Sequence, residues 1–316
     1  MSGATFESGS VQVVDVGIVG GGAAGLSAAL MLGRARRSVV VVDAGLPRNR
    51  FAPHMHGLLS RDGMSPHELL DHGRREASGY GVRFVEGEVQ RIDRVEEGFL
   101  LRGPVDVLAR RVVVATGLVD ELPPVGGLQA LWGTGAVGCP YCDGWEVRGE
   151  ALGVIATSPM SRNQAQLLRQ WTSNLTIFGA SEAGIPDEEL LGLEARGIAL
   201  APPAVSVGGE LGAVTITTAT SSHTVARVFV GARPRPSGSL LEPLGCDFSP
   251  TPVGPMVATD HNGRTSVDGV WAIGNVADIK ALVPIALGAG TAAAVDVNIS
   301  LVEEEIAAAV ALHESA

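Results

Sequence analysis

"DVGIVGGGAAGLSAAL", residues 15–30, decides how the rest of the chain is read. An apolar β-branched run ends in consecutive glycines, and small and long apolar residues then follow without a breaker. This is the pattern of a buried strand (Val11–Val19), a tight turn and a helix. The glycines fall as Gly20-x-Gly22-x-x-Gly25. The first permits the turn, the second lets a pyrophosphate approach bare backbone, and the third lets the helix pack on the strand. The helix N-terminus then offers N–H donors to the phosphates. Such a turn alone is weak evidence, because it can serve packing only. Here the next β-branched run, "SVVVVDAG", ends in Asp43, 18 residues past Gly25, where a carboxylate can accept from a ribose hydroxyl. A membrane span is the rival reading, since residues 16–33 carry no charge over 18 positions. The glycines crowded into its first half and Asp15 at its edge favour a strand–turn–helix in a soluble α/β fold.

Moving outward, residues 65–80 are expected to be helical from the Ser65-Pro66 start. Strand-like runs follow at Val82–Glu88, Phe99–Arg102 and "RRVVVATG" (110–117). "LVDELPPVGG" (118–127) has the composition of a linker. "ALGVIATSPMSRNQAQLLRQW" (151–171) repeats the strand–turn–helix pattern, and "NLTIFGAS" (174–181) repeats the second strand. "SVDGVWAIGNVAD" (266–278) closes as a strand ending in Gly-Asn, followed by an Ala-rich helix to about residue 310. The expected fold class is therefore α/β, with two Rossmann-like dinucleotide-binding domains, the second inserted in the first.

At 316 residues the chain is long enough for two such lobes. Lys and Arg number 23 against 34 Asp and Glu, a net charge of −11, which argues against nucleic acid or an anionic membrane as partner. The opening "MSGATFESGS" lacks a basic start and an apolar run, so a cytoplasmic protein is expected. Three cysteines are too few for a secreted disulfide framework.

Two of them form Cys139-Pro-Tyr-Cys142 in "VGCPYCDGWE" (137–146). Structural zinc normally takes four N/S ligands. The third cysteine, Cys246, is remote and no paired histidines accompany it, so no metal is expected. A merely structural bridge across two residues would close almost no loop and stabilise little. A redox dithiol fits best. Pro140 suits the first turn of a helix, with Cys139 at its mouth, where the dipole favours a thiolate. Asp143 follows at once and is placed to move a proton. Cys246 alone reads as a small buried residue.

Gly20–Gly25, Asp43, "VVVATG" (112–117), the CxxC-Asp-Gly of 139–144 and "TSVDGVWAIGNV" (265–276) occur in one order. In that order the chain resembles the low-molecular-weight thioredoxin reductases over nearly its whole length. The resemblance implies FAD held by residues 1–117 and 240–316, and an insert, 118–239, that carries the CxxC. It also implies flavin contacts from Gly20, Gly22, Ala23, Ala24, Gly25 and Asp43. Further contacts are implied for Val89, for Ala115, Thr116 and Gly117, and for Asn275, Pro284 and Ile285. By the same resemblance Cys142 is the flavin-side sulfur, Cys139 the outer exchanging sulfur and Asp143 the acid/base. A homodimer is implied as well.

The sequence also departs from a reductase. Aligned to a second G-x-G-x-x-A turn, "GVIATSPMSRNQAQ" puts Ala156, Ser158 and Ser161 at the three small positions, and Pro159 removes an N–H. After the following strand, Gly179-Ala180-Ser181-Glu182 offers no cation for a 2′-phosphate. NADPH binding is therefore not expected. Gly274-Asn275 replaces Gly-Asp, and Val283-Pro284-Ile285 replaces Arg-Gln-Ala. "PRNRFAPHMHG" (47–57) replaces a glycine-rich flavin loop. In it Arg48 and Arg50 are candidates for phosphate oxygens and His56 for a cofactor contact, whereas His54 reads equally well as a surface residue. These features resemble the branch of dithiol oxidases that close disulfides in natural products of the gliotoxin and holomycin type. That branch implies a small-molecule dithiol as substrate and O2 as electron acceptor, with H2O2 released. Several of those oxidases carry His after the second Cys, so Asp143 is the reductase-like choice. The alternatives are a thioredoxin-reductase-like disulfide reductase fed by NADPH or another donor, and a flavin-binding redox sensor.

Overall fold

The computed structural model describes residues 11–237 and 239–316. The polar opening stretch, 1–10, on which the cytoplasmic expectation leaned, lies outside them. The chain folds into two units. The first comprises residues up to Arg48, His67–Val119 and Arg235 onward; the second comprises Asn49–Pro66 and Asp120–Pro234. An α/β fold with the second unit inserted in the first is what the sequence led us to expect. The boundaries shift by two residues at 118–119 and by five at 235–239, and differ most in a third segment. Residues 49–66, placed by sequence in the first lobe, belong to the second unit.

The first unit is built on strand Gln12–Val19, which pairs in parallel with Val39–Asp43 on one side and Val107–Val114 on the other. Arg83–Glu86 extends the sheet beyond Val39–Asp43, and Val270–Ala272 pairs with Val107–Val114, both in parallel. Buried strands with both faces covered are expected to be continuous β-branched runs, and Val39–Val42 are all at most 1% exposed. Strands Gly98–Arg102 and Arg91–Val95 add an antiparallel margin to Val107–Val114. The alternation in Arg91–Val95 was too charged to be read as a strand from sequence.

Helix Ala23–Arg34 covers one face and packs on helix Val283–Glu314. The contact is close because Gly290 has no side chain: a Cβ there would stand 2.2 Å from the Ala24 carbonyl oxygen. Gly290→Val should therefore force the helices apart, at a cost of about 1–3 kcal/mol. A thermal melt of the variant checks this, as a midpoint several degrees below wild type. Helix Val283–Glu314 is long and apolar enough, by length and composition, to cross a membrane. Its first half lies in the core through Ala293, Ala294, Val297 and Leu301. Its later Glu304 and Glu305 are ion-paired to Arg110, Arg111 and Arg37 of the same unit.

The second unit repeats the scheme in smaller form. Leu152–Ile155 lies between Leu175–Phe178 and Arg227–Val230, with Ile198–Ala201 and Ala136–Val137 outside them, all parallel. Helix Ser161–Leu168 follows the first of these strands, as expected. An antiparallel sheet of Ala204–Glu210, Ala213–Thr218 and Ser222–Val225 packs beside it. The linker-like stretch is partly ordered, since Leu118–Glu121 is a strand that pairs with Arg233–Pro236.

Candidate active site

In the first unit the glycine turn divides into two kinds of position. Gly20 has φ +101°, and a Cβ there would come 2.5 Å from the Ala115 oxygen; at Gly25 it would come 1.9 Å from the Gly20 oxygen. These two glycines are demanded by the backbone itself. Around Gly22, by contrast, a Cβ would meet no atom within 4 Å. Gly22 also starts helix Ala23–Arg34, and no side chain caps that end. Open space before uncapped helix N–H groups at Ala23 and Ala24 is what a pyrophosphate requires, so the turn fits FAD.

A test follows from this division. Gly22→Val should fold as wild type but lose its flavin, whereas Gly25→Ala should lose stability. Flavin content measured beside a thermal melt separates the two effects.

Asp43 ends its strand against Gly21, where a Cβ would lie 2.7 Å from its Oδ2. Its carboxylate is ion-paired with Arg74, so a ribose hydroxyl would join or displace that partner. Sequence reasoning passed over Arg74, one of several polar residues on helix Pro66–Ser78, because nothing in the pattern marks it. Ala115, Thr116 and Gly117 follow strand Val107–Val114, and the Thr116 hydroxyl donates to the Ser237 carbonyl at 2.7 Å. Val89 is buried in the same unit. Asn275 sits on the single turn Gly274–Val276, and its Nδ2 donates to the carbonyls of Asp278 and Ala281. A cofactor hydroxyl would thus meet its side-chain oxygen. Pro284 stands in the first turn of helix Val283–Glu314, and Ile285 beside it is 51% exposed. Arg48 reaches the Ile279 carbonyl at 3.5 Å. Arg50 and His56 lie in segment 49–66 and belong to the unit that carries the cysteines.

In that second unit Cys139 and Cys142 are joined as a disulfide. Cys139 caps the short helix Pro140–Asp143, its sulfur accepting from the Cys142 N–H at 3.2 Å, and Pro140 occupies the first turn. Gly144 lets this turn press on Trp171, because a Cβ there would lie 2.9 Å from the indole. Tyr141 meets Trp171 edge-on at 6.0 Å and is largely exposed between the two cysteines. Asp143 is half-buried and accepts from Arg227 Nη1 at 2.9 Å. Burial pushes its carboxyl above the usual carboxylate range. The Arg227 guanidinium pulls it down, Glu146 pushes it up and His56 pulls it down. A carboxyl so placed exchanges its proton nearer neutrality than an ordinary aspartate, which suits an acid/base. Arg227 is buried on strand Arg227–Val230, and neither it nor Glu146 carried a recognisable sequence signal. Cys246 is a free, buried thiol of the other unit, and burial pushes its pKa up.

The second strand–turn–helix is closed on itself. Ser161 is 2% exposed, and its hydroxyl oxygen accepts from the Thr157 N–H at 3.0 Å and the Ser158 N–H at 3.4 Å. Thr157 Oγ1 in turn donates to the Gly231 carbonyl at 2.7 Å. Arg162, the cation of the first helical turn, is paired with Glu189 at 2.6 Å. After Leu175–Phe178 the chain turns tightly through Gly179 and Ala180, with Pro203 against Gly179.

Residues 14–290 match the family model described as pyridine nucleotide-disulphide oxidoreductase. The chain belongs to this family, and it is a thioredoxin-reductase-like enzyme of two Rossmann-type domains with FAD as its cofactor. Within the family it is similar to the solved structure of HlmI, with 43% identity, a TM-score of 0.90 and 98% of each chain covered. It is also similar to an oxidoreductase from Agrobacterium tumefaciens, with 34% identity, a TM-score of 0.87, and 92% of this chain and 99% of that one covered. Thioredoxin reductase sirT of Leptosphaeria maculans is 29% identical over 322 residues, 94% of this chain and 97% of that protein. A "Probable thioredoxin reductase" of Arthroderma benhamiae is 37% identical over 150 residues, which span 45% of this chain and only 37% of that protein.

Proposed function

We propose that the protein is an FAD-dependent dithiol oxidase that closes a disulfide in a small-molecule dithiol, with O2 as electron acceptor and H2O2 as product. The observation that carries this reading is the turn at 156–161. The N–H groups of Thr157 and Ser158, where a nicotinamide dinucleotide would place its pyrophosphate, are spent on the Ser161 hydroxyl. A phosphate would have to break both bonds and meet Cβ atoms at Ala156 and Ser158. The enzyme is therefore read as drawing electrons from its thiol substrate, not from NADPH.

In the proposed cycle a substrate thiolate attacks Cys139 Sγ, breaking the Cys139–Cys142 bond and leaving Cys142 as the thiolate. The second substrate thiol, giving its proton to Asp143, attacks the mixed disulfide; the product disulfide leaves and Cys139 departs as a thiolate. The dithiol pair, protonated once through Asp143, holds the two electrons. Bound FAD supplies the acceptor for that electron pair and its route to O2. Arg227 keeps the Asp143 carboxylate oriented while the proton moves. Cys139, Cys142 and Asp143 are thus the proposed catalytic residues. The glycine turn, Asp43, Val89, the 115–117 strand end, Asn275 and the 284–285 helix start are the proposed flavin contacts. A homodimer in the cytoplasm completes the proposal.

Asp143 and the names of the relatives favour the second reading, a disulfide reductase. The test is anaerobic addition of each reductant in turn. Bleaching by a dithiol and not by NADPH supports the oxidase; bleaching by micromolar NADPH supports the reductase.

A further inference from the structure

His56, expected among the flavin contacts, also stands in a line of charges with Asp62 and Glu146. Its Nδ1 faces Asp62 Oδ2 at 3.4 Å, and its Nε2 faces Glu146 Oε1 at 3.4 Å. Asp62 is itself fixed, since its Oδ1 accepts the Gly57 N–H at 2.8 Å. Both ring nitrogens of His56 thus face a carboxylate oxygen, one from Asp62 and one from Glu146. Glu146 lies three residues past Asp143, on the turn that follows helix Pro140–Asp143. The charged groups acting on the Asp143 carboxyl therefore come from three elements: Arg227 from its strand, Glu146 from this turn, and His56, with Asp62 behind it, from segment 49–66. Arg227 is buried, and its Nη1 donates to Asp143 Oδ1 at 2.9 Å, which holds a guanidinium against that carboxylate at close range.

We propose that His56 and Glu146 are positioning residues for Asp143, two opposite charges that bias when its carboxyl takes and gives up the thiol proton. The proposal rests on Asp143 as the acid/base of the cysteine pair, a role common to the oxidase and reductase readings. Its content is the sign. A positive neighbour favours the ionised carboxylate and a negative one favours the protonated acid. His56→Gln removes the former, so Asp143 holds its proton to higher pH. Glu146→Gln removes the latter, so Asp143 ionises at lower pH. A merely structural role would disturb both variants in the same direction.

The first readout needs no turnover. Holoprotein labelled with [4-13C]aspartate is titrated by NMR, with the Asp143 carboxyl resonance assigned as the one missing from Asp143→Asn. Its midpoint should move up in His56→Gln and down in Glu146→Gln. The second readout is the pH profile of anaerobic flavin bleaching by dithiothreitol, whose acid limb should move in the same two directions. Opposite shifts in the titration establish the proposal. Shifts of one sign, or none, in either variant overturn it. If dithiothreitol fails to bleach the wild type, the assignment of the redox pair fails, while the titration still decides the charges around Asp143.

Discussion

Cys139→Ser should abolish turnover and leave a long-wavelength absorbance band, the signature of the flavin-side thiolate that the family resemblance assigns to Cys142. Cys142→Ser should be equally inactive, without the band, and should accumulate mixed disulfides with substrate at Cys139. Loss of either sulfur removes a nucleophile or leaving group from the exchange itself, so a fall on the order of a thousandfold or more is expected in both. The asymmetry between the variants is the informative part. It follows from the resemblance that makes Cys139 the outer sulfur, and from the capping position of Cys139 ahead of Pro140. Mass spectrometry of the trapped adduct with the visible spectrum reads both halves. A band in Cys142→Ser and a trapped adduct in Cys139→Ser would reverse the two roles. Wild-type rates in both would remove the pair from the mechanism.

NADPH should bind about a thousandfold or more weakly than a competent second dinucleotide site would bind it. The Thr157 and Ser158 amides are committed to Ser161, and Arg162 is committed to Glu189. Each charge-assisted bond withheld from a phosphate costs about 1.5–3 kcal/mol, and about 1.4 kcal/mol is tenfold in affinity. Two or three such losses give the expected factor. Calorimetry or a flavin-reduction titration over micromolar to millimolar NADPH checks it. Saturation in the micromolar range would show that the turn at 156–161 opens and would restore the reductase reading.

Much of the first unit was legible in the sequence because its signals are local. The Gly20–Gly25 spacing and the Val39–Asp43 run, like the Pro140 start in the second unit, each dictate a backbone that neighbours alone can enforce. The closed second turn was legible in part: Ala156, Ser158 and Ser161 announced crowding, but the seating of the Ser161 hydroxyl under two N–H groups is set by the folded turn and carries no local signal. Antiparallel strands such as Arg91–Val95 and Ala204–Glu210 were missed because their outward faces are charged or small, which blurs the alternation. The surroundings of Asp143 were illegible for a different reason. Arg227 lies 84 residues away on a strand whose other members are apolar, so it reads as an edge charge and not as a buried partner. His56 offered a cofactor contact from its loop, and nothing in that loop signalled its approach to Glu146.

The central claim is that electrons run from a small dithiol through the cysteine pair to oxygen. The most direct measurement is stoichiometric: purified protein, an air-saturated dithiol and no nicotinamide, with disulfide, oxygen and peroxide followed together. One O2 consumed and one H2O2 formed per disulfide, abolished in the Cys139 and Cys142 variants, is the result predicted here. Disulfide formation without matching peroxide, or turnover that begins only when NADPH is added, would contradict it.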